Sequence, residues 1–62
     1  MEFLIIYKSK HTTLHEMENY IYTQYGNKIN MEELMEELKE DYRIKHSSLD
    51  ELIIINIIKL NI

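Results

Sequence analysis

The three histidines are the first residues whose type and spacing could do chemistry. His11 and His15 are four residues apart, a spacing that places two metal ligands on one face of a helix. The capping pattern at Thr13 puts His11 outside the predicted helix, and the sequence fixes no third ligand, although His46 is a candidate. We therefore expect no metal site and no cofactor.

A second group, between His46 and Asp50, contains the residue types of a nucleophilic triad. Triads are assembled in space rather than from sequence neighbours, and the chain has no Gly-x-Ser-x-Gly elbow. The spacing of Ser48 and Glu51 is that of a capping pair, so a polar turn explains the segment better. There is also no Gly-rich phosphate loop. We expect no enzymatic activity.

The strongest chemical signal is a run of acidic residues between positions 31 and 42. Six acids stand against one base, Lys39, in a chain whose formal net charge is −4. On a helix these acids form two rows at i, i+4 spacing, where each like-charge pair costs about 0.2–0.5 kcal/mol. The first row is Glu32, Glu36 and Glu40, and the second is Glu33, Glu37 and Asp41.

The two rows have two interpretations. One is a solvated helix face, which is the usual role of a charge run. The other is a negative surface for a basic protein partner, because carboxylates one turn apart rise about 6 Å, close to the spacing of phosphates. Direct binding of nucleic acid is not expected, since it requires Lys and Arg. Tyr20 and Tyr22 are predicted to flank the first helix as aromatic anchors of this surface, with boundary packing as the alternative.

The elements that must position these side chains begin with a strand at residues 2–8, which places Phe3, Ile5 and Tyr7 on one face. Thr13 and Glu16 have the spacing of a capping box that opens a helix. That helix is predicted to end at Gly26, with Asn27 prolonging the turn. Its apolar stripe would be Leu14, Met17, Ile21 and Tyr25.

The second half of the chain predicts a helix and a strand. Asn30 and Glu33 repeat the capping pattern and open a helix that ends near Ile44. Residues 46–50 form a polar break, and the β-branched run at 51–61 predicts a strand. The apolar face of this helix would be Met31, Leu34, Met35, Leu38 and Tyr42.

The element order predicts an α+β fold, a small β-α-α-β unit that forms a single domain over residues 1–62. Its two-stranded antiparallel sheet would carry the helical hairpin on one face. Both strands are apolar on both faces, which is typical of strands covered on both sides. We therefore expect a homodimer or a higher homo-oligomer to complete the fold. The oligomer interface is predicted at Leu52, Ile54, Asn56, Ile58 and Leu60.

Length and composition exclude several classes of protein. Sixty-two residues without cysteine cannot form a disulfide-stapled domain or a cysteine–zinc site. No apolar run reaches the roughly 18 residues of a membrane span, and no signal peptide is visible, so we expect a cytoplasmic protein without membrane contact. No motif matches a known family. In its short length, acidity and lack of cysteine, the chain resembles the small accessory proteins of bacteriophages that infect low-GC bacteria.

Those phage proteins include inhibitors of host nucleases and of CRISPR effectors, so the resemblance implies stoichiometric blocking of a target in the host cytoplasm. We thus expect a protein-binding inhibitor that uses its acidic helix as a nucleic-acid mimic. The alternative is a self-assembling structural or regulatory homo-oligomer, in which the Ile-rich last strand is the functional interface.

Overall fold

Strand β1 (Glu2–Ser9) is the centre of a three-stranded antiparallel sheet with β2 (Glu18–Thr23) on one side and β3 (Leu52–Leu60) on the other. The computed structural model describes residues 1–26 and 28–60. Phe3, Ile5 and Tyr7 are buried on one face of β1, as the alternation predicts. The predicted antiparallel pairing of the first and last strands is also confirmed.

Helix α1 (Met31–His46) is the predicted second helix, two residues longer than expected at its end. The Asn30 side chain caps it by accepting a hydrogen bond from the Glu33 N–H at 3.1 Å. At the other end, Ser47 adopts a left-handed conformation (φ 53°) and its N–H donates to the Arg43 carbonyl. Leu34, Leu38 and Tyr42 are buried, Met35 is half-buried and Met31 is exposed.

The predicted first helix is wrong. A single 3-10 turn (Leu14–Glu16) follows β1, and the chain then extends as β2. The capping pattern is real, since the Thr13 N–H donates to the Glu16 carboxylate at 3.3 Å, but it opens only this turn. Tyr20, Ile21, Tyr22 and Thr23 are aromatic or β-branched, and pairing with β1 satisfies their backbone. The expected apolar stripe is exposed: Leu14 by 62%, Met17 by 44%, Ile21 by 48% and Tyr25 by 102%.

Gly26 has the positive φ (108°) expected of it, but in the connection between β2 and α1 rather than at the end of a helix. The predicted turn residue Asn27 lies outside the described residues.

The fold class is α+β, as predicted, but with a three-stranded antiparallel sheet and one helix in place of a two-stranded sheet and a helical hairpin. The helix covers one face of the sheet, so the molecule has two layers and one core between them. The core consists of Phe3, Ile5, Tyr7, Tyr22, Leu34, Leu38 and Tyr42.

A β-bulge in β3 changes which of its residues share a face. Ile6 pairs with Asn56 whereas Tyr7 pairs with Ile54, so Ile55 is an extra residue in β3. Strict alternation predicts one interface face for Leu52, Ile54, Asn56, Ile58 and Leu60, and this prediction fails at the bulge. Leu52 and Ile54 pack against the core on the helix side, whereas the register places Asn56, Ile58 and Leu60 on the opposite face.

Candidate functional site

The first predicted row of carboxylates lies on the exposed surface of α1, and we call Glu32, Glu36 and Glu40 the acidic row. Glu33, in the first helical turn, is exposed as well. Glu40 forms a bidentate ion pair with Arg43, which holds the pKa of that carboxyl below its usual range. The exposed charge is therefore greatest in the first half of the helix, at Glu32, Glu33 and Glu36.

The second predicted row turns toward the sheet at Glu37 and Asp41. Glu37 accepts a hydrogen bond from the Tyr20 hydroxyl at 2.7 Å, and Asp41 accepts one from the Tyr7 hydroxyl. Asp41 also pairs with Lys45 at 3.0 Å. Both carboxylates are half-buried. The two tyrosine hydrogen bonds attach α1 to β1 and β2, so Glu37 and Asp41 orient the helix as well as adding to its charge.

Burial and the neighbouring carboxylates raise the pKa values of three tyrosines. Burial, together with the hydrogen bond to Asp41, raises the pKa of Tyr7. The hydrogen bond to Glu37 raises the pKa of Tyr20 to about 12. Burial also raises the pKa of Tyr22, whose side chain is fully enclosed and whose hydroxyl has no hydrogen-bond partner among the described residues. Of the two predicted anchors, only the half-buried Tyr20 reaches the surface, because Tyr22 belongs to the core.

The face of the sheet opposite α1 is a second, apolar surface. Leu4 lies between Ile21 on β2 and Ile58 on β3, which gives a continuous aliphatic row across all three strands. Ile21, Ile53 and Ile58 are 48%, 39% and 41% exposed. We call this surface the open face, and its apolar residues are Leu4, Ile6, Ile21, Ile53, Ile58 and Leu60.

The residues of the segment between His46 and Asp50, which hold the residue types of a triad, contact different partners. His46 contacts the Glu18 carboxylate at 2.6 Å, and Asp50 accepts hydrogen bonds from Ser9 and Tyr42. Ser47 ends α1. The segment that holds the residue types of a triad is therefore used for capping and for attaching α1 to the sheet. Within residues 1–26 and 28–60, no three metal-ligating side chains come together.

A shallow cavity of about 260 Å³ lies beside α1, lined by Lys39, Leu49, Asp50 and Glu51. Its lining combines one base with two acids. The part of the chain that the structure describes contains no helix long and apolar enough to cross a membrane.

Sequence reasoning missed two residues of the open face, Ile21 and Ile53, because it assigned Ile21 to a helix and treated β3 as regular. The sequence signal for β2 is the run of aromatic and β-branched residues at 20–23. In the structure, the side chains of this run alternate between more buried and exposed positions. Nothing in the sequence pointed to the pairing of Tyr7 with Asp41 or of Tyr20 with Glu37. These partners are 34 and 17 residues apart.

Comparisons with known proteins found no family model, no curated protein and no solved structure that matches this chain. Two surfaces of the described chain are candidates for function, the acidic row on α1 and the open face of the sheet.

Proposed function

We propose that this protein is a non-enzymatic binding module whose acidic row, together with Glu33, docks on a basic surface of a partner protein and blocks it. The observation that carries the proposal is the exposure of Glu32, Glu33 and Glu36 on the first half of α1, where no described base pairs with them. A groove that binds nucleic acid fits such a row, since its Lys and Arg side chains are spaced to meet phosphates. Action in the cytoplasm, as a stoichiometric inhibitor of the phage type, belongs to the same proposal.

The way α1 is fixed supports this role. The hydrogen bonds from Tyr7 and Tyr20 and the ion pair of Lys45 with Glu18 hold the helix on the sheet. A charged surface on a fixed helix loses little conformational entropy when it binds, so more of the electrostatic attraction contributes to affinity. Complementary charge also accelerates encounter with a basic partner.

Charge reversal tests the proposal. We expect Glu32→Lys with Glu36→Lys to lose a specific partner that the wild-type protein captures from a host lysate, because two carboxylates of the docking surface change sign. The matched control is Glu16→Lys with Glu51→Lys, which makes the same change in net charge at exposed acids outside α1. Binding should also weaken as salt rises, since exposed charges are screened. Equal retention of the partner by both double variants would reject the proposal.

The second candidate function is self-assembly, in which the protein acts as a structural or regulatory homo-oligomer. The open face favours it, because apolar strands on an uncovered sheet face are a surface that soluble domains usually bury. The two proposed functions are compatible, since an oligomer formed through the sheet leaves α1 exposed on the outside. Sedimentation equilibrium over a range of protein concentrations tests self-assembly: a mass that rises with concentration supports it, and a constant monomer mass rejects it.

A further inference from the structure

The open face is the largest feature of the molecule that the acidic row does not use. Its aliphatic side chains come from all three strands, and the row Leu4, Ile21 and Ile58 crosses the sheet without a polar interruption. In the next row, Ile6 lies between Asn19 and Asn56. The surface is therefore apolar with a polar row beside it, a pattern that protein interfaces share.

We propose that the open face of one copy packs against the open face of a second copy, so that the two sheets stack between two outer helices. This inference rests on the self-assembly proposed above and specifies its occupant and its geometry. Two sheets stacked in this way keep their backbones about 10 Å apart and interdigitate their side chains, as in β-sandwiches. Each copy would then have a second core on the side that α1 leaves uncovered.

The distribution of charge allows two acidic copies to meet through this face. The charged residues of β1 on this side are Glu2 and Lys8. The Lys8 ammonium is bound by the carbonyl oxygens of Ser9 and Thr12, at 2.6 and 2.7 Å, and the residue is only 8% exposed. The acidic row lies on the opposite side of the molecule, so stacking separates the two rows by both sheets. Like-charge repulsion between copies of net charge −4 is then small.

The size of the open face fits a dimer that forms and dissociates. Three strands spaced about 4.8 Å apart and about eight residues long cover roughly 14 by 26 Å. Side chains that rise from the pleat expose more area than this flat outline, so a stacked pair buries on the order of 1,000 Å² in total. That is the lower limit for specific interfaces. We therefore expect the monomer and the dimer to exchange with concentration.

One competing arrangement is pairing of β3 with β3 of a second copy, and the bulge disfavours it. The extra residue Ile55 interrupts the ladder in the middle of this edge strand, between Ile54 and Asn56. Bulges are a common way in which proteins protect an exposed edge from further pairing. An edge-paired dimer would also leave both open faces uncovered, whereas stacking covers both at once.

A single charge on β2 distinguishes the two arrangements. Ile21 lies on the strand farthest from β3, so Ile21→Glu should abolish a stacked dimer and leave a dimer paired through β3 intact. The matched control is Ile44→Glu, the same change at a residue of α1 that is 68% exposed. By sedimentation equilibrium, we expect a dimer for the wild type and for Ile44→Glu, and a monomer for Ile21→Glu with an unchanged circular dichroism spectrum.

The outcomes separate this inference from the proposal on which it rests. A wild-type protein that stays monomeric at all concentrations rejects self-assembly and stacking together. An Ile21→Glu variant that remains dimeric rejects stacking but leaves self-assembly standing.

Crosslinking keeps the inference testable if Ile21→Glu does not fold. The chain has no cysteine, so Leu4→Cys and Ile6→Cys each introduce one thiol at the centre of the open face. A bismaleimide that spans about 10 Å should join two copies in a stacked dimer. In an edge-paired dimer, the two β1 strands are three strand spacings apart, or about 14 Å. A dimer by sedimentation that neither variant crosslinks contradicts stacking.

Discussion

At the scale of single residues, the hydroxyl groups of Tyr7 and Tyr20 determine which carboxylates of α1 face the sheet and which stay exposed. Each donates a hydrogen bond to a carboxylate of α1, Asp41 and Glu37 respectively. The i, i+4 spacing correctly predicts two rows of acids, but it cannot tell which row faces the sheet. The sheet decides this, because the tyrosines on β1 and β2 lie under only one of the rows. As a result, the surface left for a partner is narrower than the sequence suggests.

These hydrogen bonds make a prediction about alkaline stability. The folded protein holds the proton of Tyr20 up to about pH 12, and burial raises the pKa of Tyr7 further, whereas a tyrosine of the unfolded chain loses its proton near pH 10. Because both folded-state pKa values are raised, this stability is complete below about pH 10 and is lost as pH rises through the folded-state values. Thermal melts from about pH 9 to pH 12 should show a smaller loss for Tyr20→Phe than for the wild type.

The control for this measurement is Tyr25→Phe, which removes a hydroxyl from a fully exposed side chain. It should lose stability with pH as the wild type does. If Tyr20→Phe follows the wild-type curve as well, the hydrogen bond between Tyr20 and Glu37 contributes nothing to the alkaline transition.

At the scale of elements, the sequence predicts β1, α1 and β3 because their local signals agree with their tertiary surroundings. In α1, the Asn30 cap, the apolar stripe and the good helix formers all indicate a helix. In the segment Leu14–Tyr25 the signals conflict. The Thr13 cap and the spacing of Leu14, Met17, Ile21 and Tyr25 favour a helix, whereas the aromatic and β-branched residues favour a strand. Pairing with β1 over six register positions settles the conflict, and no local pattern contains that information.

The bulge in β3 shows the same limit. Alternation predicts correctly that the strand is apolar on both sides, but one extra residue at Ile55 exchanges the faces of everything before it relative to everything after it. The predicted interface residues Leu52 and Ile54 therefore belong to the helix side, and Ile53 joins the open face. The sequence around Ile55 contains neither Gly nor Pro, so the bulge has no compositional signal.

The residue that caps the C-terminal end of α1, Ser47, has a strained backbone conformation. Ser47 has φ 53°, a left-handed conformation that costs a residue with a Cβ about 1 kcal/mol. Ser47→Gly should relieve this strain while keeping the backbone hydrogen bond to Arg43, and we expect a net gain of roughly 0.5–1 kcal/mol in the free energy of unfolding. Ser48→Gly is the matched control, because Ser48 does not have a positive φ, and it should not stabilise the protein. Urea unfolding of both variants measures the difference, and an equal response would contradict the assignment.

At the scale of the whole molecule, the two layers create two surfaces of opposite character. The outer side of α1 is charged, whereas the outer side of the sheet is aliphatic. Seven of the described residues form the core between these layers, and a chain of 62 residues has little stability to spare. The sequence could predict that one core would not cover all the apolar residues, because both predicted strands are apolar on both faces. It could not predict that Ile21 and Ile53 belong to the uncovered side, since β2 and the bulge place them there.

Linkage between association and folding then predicts that stability depends on protein concentration. A second copy that binds only the folded chain stabilises it, and a hundredfold excess over Kd adds about 2.7 kcal/mol. For a domain of this size, such a gain raises Tm by about 10 °C or more. The Tm of the wild type should therefore rise with concentration in calorimetry, whereas the Tm of Ile21→Glu should stay constant.

Salts should affect dimerisation through the open face and partner binding by the acidic row in opposite directions. Sulfate salts strengthen apolar burial and should raise the dimer fraction, because the open face contributes little charge to the contact. Sodium chloride should release a basic partner from the acidic row, since it screens exposed charges. A Tm that is independent of concentration in the wild type would contradict the stacked dimer and leave the proposed docking of the acidic row as the remaining candidate function.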